Sequence, residues 1–170
     1  VSPQYHKDLY ISWEEFHRDA RRLCEELLDR DAYKGIVAVT RGGLIPASIV
    51  ARELGIRLVD TICVVSYHGE QGQQQTEQAK VLKAPEGDGE GMLLIDDLVD
   101  TGKTARTVRE CLPKATFATV YAKPKGRPLV DTCVREVSQD TWIRFPWDTE
   151  LHFAVPLADK ARKGSQDESD

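Results

Sequence analysis

Residues 34–55 confine the chain to a narrow class of folds. A continuous apolar run, KGIVAVT, leads into RGG, then into LIPASIVAREL and Gly55. An unbroken apolar run of this length reads as a strand buried on both faces, as in a parallel sheet. The glycines supply a tight turn, and the next stretch is a helix that Gly55 can end. The order returns downstream, with RLVDTICVVSY (57–67), MLLID (92–96) and TFATVYAK (116–123) as strands and TARTVRECL (104–112) as a helix. Strand and helix in alternation predict an α/β fold, a mainly parallel twisted sheet flanked by helices. Ligands of such folds sit beyond the carboxyl ends of the strands.

Two further segments complete the outline. Residues 12–30 place Trp13, Phe16, Ala20, Leu23 and Leu27 at steps of three and four. That is one helical face, with Ser12 and Glu15 in capping-box spacing. Core packing is the expected fate of Trp13. Residues 68–91, HGEQGQQQTEQAKVLKAPEGDGEG, are too polar for a core and too long for an ordinary connection, so a mobile lid is expected there, with a passive surface loop as the alternative. The tail from residue 158 has no apolar periodicity and is expected to fray, leaving residues 1–157 as one domain.

Charge and cysteine usage exclude several classes. A formal net charge of −5 argues against general nucleic-acid binding, which rests on clustered Lys and Arg. A small polyanion stays admissible, because one local pocket of donors can outweigh the global sign. The four cysteines form no C-x-x-C pair and have no matching histidine spacing, so they read as free thiols and not as a zinc site. No apolar run reaches membrane-spanning length, and the first residues lack the order of a secretory signal. A cytoplasmic protein is the expectation.

The stretch LLIDDLVDTGKT (93–104) sets three carboxylates, Asp96, Asp97 and Asp100, beside Thr101-Gly102-Lys103-Thr104, a helix opening suited to an anion. Gly102-Lys103-Thr104 matches the end of a nucleoside-triphosphate loop, but Asp97 stands where that motif needs its first glycine. A mere helix cap and turn is the blander alternative. A better division gives the helix amides and threonine hydroxyls to a phosphate. Asp96 and Asp97 are then left for vicinal sugar hydroxyls or for a hard cation such as Mg²⁺. Asp100, between the two ends, faces whatever the sugar carries.

The string Ile95-Asp96-Asp97-Leu98-Val99-Asp100-Thr101-Gly102-Lys103-Thr104 resembles the 5-phosphoribosyl-1-pyrophosphate (PRPP) signature of the type I phosphoribosyltransferases. TRGGLIPA, AREL, EGDGEG, AKPKGRPLVD and QDTWI extend the likeness to its purine-salvage branch over residues 5–157. The resemblance implies transfer of phosphoribose from PRPP, with Mg²⁺, to xanthine, guanine and, less efficiently, hypoxanthine. It also implies a small base-binding hood built from terminal segments, a homotetramer, and scope for loose attachment to the inner membrane. By the same likeness Arg41-Gly42-Gly43 binds pyrophosphate, Asp97 associates with Mg²⁺, Asp96 takes ribose hydroxyls and Asp100 is the acid–base residue. Lys123 donates to the purine O6, Trp142 stacks on the base, and the Ile143 carbonyl meets the C2 group.

Two departures stand out. The lid offers QQQTEQAK, with only Lys80 as a nearby cation for PRPP, and Lys103 replaces a frequent glycine. A PRPP-sensing, RNA-binding regulator on the same fold and a P-loop NTPase are the competing readings. The acidic balance weighs against the regulator.

Overall fold

In a computed structural model of the chain, residues 5–28, 33–71 and 74–149 are described. The expected tail lies outside them. Eight strands and three α-helices are present among the described residues, with two short 3₁₀ turns late in the chain. Two compact units divide them. One comprises the residues up to Phe16 and from Asp140 onward, the other His17–Gln139.

The larger unit holds a six-stranded sheet. Its strands are β2 (Gly35–Thr40), β3 (Val59–Gln71), β4 (Gln74–Lys83), β5 (Met92–Val99), β6 (Thr116–Ala122) and β7 (Thr132–Glu136). They lie in the order β4-β3-β2-β5-β6-β7, all pairs parallel except β3 with β4. Helix α2 (Leu44–Glu53) follows β2, and α3 (Lys103–Cys111) follows β5. From β2 the chain winds one way to β3, and from β5 it winds the other way to β6 and β7. The reversal opens a crevice between the ends of β2 and β5, the place where such sheets bind ligands. A core of Val37, Val39, Ile62, Leu94 and Phe117 packs with Ala105, Val108 and Leu112 of α3 and its C-terminal turn, which anchors the loop that opens this helix.

Helix α1 (Trp13–Leu27) begins as the capping box requires, with the Glu15 amide donating to Ser12 Oγ at 3.1 Å. Phe16, Ala20, Leu23 and Leu27 are buried as expected. Trp13 is not: it is 54% exposed. As the first residue of the helix it has no preceding turn to lean on, and its ring lies 6.0 Å from the Trp147 ring. Trp147 stacks on Phe145 at 4.6 Å and meets Phe16 edge-on. These aromatics belong to the smaller unit, which is built from the terminal segments as the sequence reading expects. There β1 (Lys7–Tyr10) pairs in parallel with β8 (Thr141–Arg144).

The expectation of an irregular stretch is corrected. The polar stretch is not a loop: β3 and β4 pair as a long antiparallel hairpin from Cys63↔Lys83 to Gln71↔Gln74. A hairpin needs no apolar face along its whole length, because its own ladder satisfies the backbone. Among the described residues of this stretch, 84–91 are irregular, and Gly87, Gly89 and Gly91 there all take positive φ.

Candidate active site

Strand β5 is longer than MLLID. It runs to Val99, so Asp96 and Asp97 lie within the strand and not past its tip. Only Asp100, Thr101 and Gly102 separate it from α3. A nucleoside-triphosphate loop needs its glycine-rich turn between strand and helix, and here Asp97, Leu98 and Val99 belong to the strand. The P-loop reading is thereby excluded by geometry.

Gly102 has φ +86° and caps α3 without a side-chain bond. A Cβ there would run into the Leu129 side chain. Few residues other than glycine let the backbone turn this way, and the turn leaves the first amides of α3 facing out of the helix end. Thr101 and Lys103 are exposed and Thr104 half-buried, so the helix mouth is open to solvent. Partial positive charge on those amides suits a phosphate.

The second loop of the crevice is Arg41-Gly42-Gly43, entered through a cis Thr40–Arg41 peptide. Its two glycines do different things. Gly43 does not offer its amide to an anion, as a nest would: it donates to the Val39 carbonyl at 2.8 Å. A Cβ on Gly43 would strike the carbonyls of Ile95 and Val39, so this glycine lets the turn close on the sheet. Gly42 faces Asp97 instead. A Cβ on Gly42 would lie 2.5 Å from Asp97 Oδ2 and 2.6 Å from its Cγ and Oδ1. The carboxylate is thus laid against the backbone of the β2 loop. Arg41 is exposed and makes no salt bridge among the described residues.

Asp96 accepts the amide of Asp97 at 2.9 Å. Loss of water around it raises its pKa well above the usual carboxylate range, and the charge of Asp97 pushes the same way. A cation or a pair of sugar hydroxyls at Asp96 would offset that cost. No cluster of three or more potential His, Cys, Asp or Glu ligands exists among the described residues. Two adjacent acids are nevertheless what Mg²⁺ asks of a protein when substrate oxygens and water fill its other positions.

At the far end of the loop, Asp100 has a different partner on each oxygen. Lys123 Nζ donates to Oδ2 at 2.9 Å, and Gln139 Nε2 donates to Oδ1 at 2.7 Å. Lys123, directly after β6, is only 1% exposed, so it is no solvent-facing lysine. Its position is set by its own amide, which donates to the Val99 carbonyl at 2.9 Å. The turn behind it closes on the end of β5 through Gly126, whose absent side chain would otherwise meet Val99 and the Asp100 carbonyl. Neither Gln139 nor Gly126 was singled out by sequence reasoning. The signal for the glycine lay in KPKGRP, a turn composition. For Gln139 there was none, since its partner lies 39 residues away.

The remaining expected residues are placed as follows. Lys80 is exposed on β4, opposite Val65. Trp142 and Ile143 belong to the smaller unit, on β8. Trp142 is 37% exposed, with the Tyr5 ring edge-on at 4.8 Å and the Arg144 guanidinium 5.5 Å over its ring, while Ile143 is buried. The cysteines are free, and burial pushes the Cys24 thiol up to about 11, which keeps it unreactive. No helix among the described residues is long and apolar enough to cross a membrane.

Comparison with known proteins agrees with this geometry. The phosphoribosyl transferase domain family matches residues 10–154. The chain is 58% identical over 163 residues to the xanthine-guanine phosphoribosyltransferase of Desulfotalea psychrophila, spanning 96% of this chain and 100% of that one. To the protein of the same name from Nitratidesulfovibrio vulgaris strain DP4 it is 60% identical, over 96% of this chain and 98% of the relative. Among solved structures it is similar to a purine phosphoribosyltransferase from Pyrococcus horikoshii, with a TM-score of 0.73 and 29% identity over 84% of this chain and 95% of that one.

Proposed function

The chain belongs to the phosphoribosyl transferase domain family, and from that premise we infer that it is a purine-salvage enzyme acting on xanthine and guanine. It joins N9 of the purine to C1 of the ribose of PRPP and releases pyrophosphate. The observation that carries this reading is the contact of Asp97 with Gly42, which brings an acid of the β5 strand onto the pyrophosphate-loop candidate at the sheet's reversal point.

Each group has a task in that reaction. The mouth of α3, from Thr101 to Thr104, holds the 5-phosphate, with Leu98, Val99 and Lys103 shaping the loop. Asp96 accepts from the ribose hydroxyls. Asp97 would hold Mg²⁺, which would neutralise charge on the departing pyrophosphate. Arg41, exposed at the β2 loop, supplies a permanent forked donor to the same anion, while Gly42 gives room and Gly43 shapes the turn. Lys80 adds a cation from the hairpin.

As the C1–O bond breaks, its electron pair leaves with pyrophosphate, and positive charge builds on the ribose. N9 supplies the new bond, and the purine's proton passes to the Asp100 carboxylate. Lys123 donates to O6 and so penalises adenine, whose amino group would leave a buried donor unpaired. In the structure that lysine is paired to Asp100. A 6-oxopurine therefore competes for Lys123 with the carboxylate that takes its proton. Trp142 and Ile143 are assigned to the purine on the sequence resemblance, as are hypoxanthine as a secondary substrate, a homotetramer, a cytoplasmic location and loose attachment to the inner membrane.

The test is direct. Incubated with PRPP, Mg²⁺ and one purine at a time, the protein should form nucleotide and pyrophosphate in equal amounts with xanthine and guanine, more slowly with hypoxanthine, and not with adenine. PRPP binding without turnover would favour a regulator instead.

A further inference from the structure

We propose that Gln139 is a positioning residue for phosphoribosyl transfer: it grips one oxygen of the Asp100 carboxylate so that the other is the atom presented to the purine's proton. This rests on the reading of Asp100 as proton acceptor.

The carboxylate torsion of an aspartate is soft, so a single partner does not fix which oxygen faces a substrate. Two of the partners of Asp100 differ in kind. Lys123 is charged and is claimed by the purine O6 when the base binds. Gln139 is neutral and has no such second task. Its hold on Oδ1, at 2.7 Å, therefore persists when Lys123 turns to the base.

The other end of Gln139 is anchored as well. Its Oε1 accepts the Lys125 amide at 3.0 Å. A carbonyl that must accept and an amino group that must donate leave one orientation of the side-chain amide. Lys125 itself sits in a tight turn, where the amides of Gly126 and Arg127 both donate to the Lys123 carbonyl, at 3.0 and 2.9 Å. Gly126 presses that turn onto the Asp100 carbonyl, with no space for a side chain. Gln139 thus ties the carboxylate of Asp100 to a turn already fixed against the backbone of the same residue. The other oxygen, Oδ2, is the one paired to Lys123.

The experiment compares Gln139→Leu, Gln139→Glu and Asp100→Asn with the parent in full-length protein, by kcat and KM for guanine and PRPP, by pH profile and by thermal melting. Gln139→Leu should lower kcat about tenfold with KM for PRPP within about twofold, the scale of one hydrogen bond to a charged group realised at the reacting atom. Gln139→Glu carries the sharper signature. Protonated, a glutamate can donate to Asp100 and accept from Lys125; ionised, it repels Asp100. Its activity relative to the parent should therefore rise as pH falls.

Unchanged kcat in Gln139→Leu, with Asp100→Asn impaired, would overturn the role of Gln139 while sparing that of Asp100. Undiminished turnover in Asp100→Asn would overturn the reading beneath it. If Gln139→Leu loses its fold, the Gln139→Glu ratio decides, and a flat ratio across pH would overturn the proposal.

Discussion

Gly42→Ala adds one methyl group and should act on PRPP and Mg²⁺ without unfolding the protein. Gly42 is not among the positive-φ glycines, so its backbone accepts alanine. The added carbon would lie 2.5 Å from Asp97 Oδ2. Non-bonded atoms of this kind settle at roughly 3.5 Å, so the carboxylate must swing away by about 1 Å. Asp97 can move, since it is a side chain and only partly buried. The cost is therefore paid in function. A displaced carboxylate forfeits a charge-assisted interaction worth about 1.5–3 kcal/mol, or roughly 10- to 150-fold in apparent affinity for the Mg²⁺ complex of PRPP.

Steady-state kinetics over a matrix of PRPP and Mg²⁺ concentrations would read this, with thermal melting as the control. Gly43→Ala provides the contrast: its methyl group meets backbone, 2.7 Å from the Val39 carbonyl and 2.8 Å from the Val39 amide nitrogen, so it should lower melting temperature as well as activity. If Gly42→Ala leaves both KM for PRPP and the Mg²⁺ dependence unchanged, Asp97 does not act where the structure places it.

Other substitutions separate stability from chemistry. The raised pKa of Asp96 means that the folded state holds this proton more tightly than the unfolded chain, so its contribution to stability is present at acid pH and fades as pH rises through the folded value. Asp96→Asn should therefore melt higher than the parent at neutral and alkaline pH and lose that advantage towards pH 4 and below, while its KM for PRPP rises; parallel melting curves at every pH would refute the assignment. Lys123→Ala should erode the preference for 6-oxopurines, read as the ratio of kcat/KM for guanine over adenine. It should also cost about 2–3 kcal/mol in denaturant unfolding, below the cost of breaking a wholly buried pair because Asp100 keeps some access to water. Tyr121→Phe removes the hydroxyl that donates to buried Asp19 at 2.7 Å, and should cost about 1.5–3 kcal/mol in unfolding with kcat unchanged.

The parallel core was legible because its strands are short apolar runs ended by charged residues, as in KGIVAVT before Arg41 and TFATVYA before Lys123. The turn that opens α3 was legible from Gly102, since few residues other than glycine can open a helix at positive φ. The hairpin β3–β4 was hidden because polarity was read as absence of structure, whereas an edge hairpin satisfies its own backbone. Trp13 was misplaced because helical spacing gives the face a residue lies on and not whether a neighbour covers it at the helix start. The division of labour between Gly42 and Gly43 needed coordinates, since their sequence context is the same. So did the partners of Asp100, because Lys123 and Gln139 reach it across 23 and 39 residues.

The most direct test of the account is a crystal structure of the protein with GMP bound. The 5-phosphate should lie against the amides of Thr101–Thr104, with the ribose hydroxyls on Asp96 and the purine O6 on Lys123. A phosphate bound elsewhere, with that helix mouth empty and Lys123 still paired to Asp100, would contradict it.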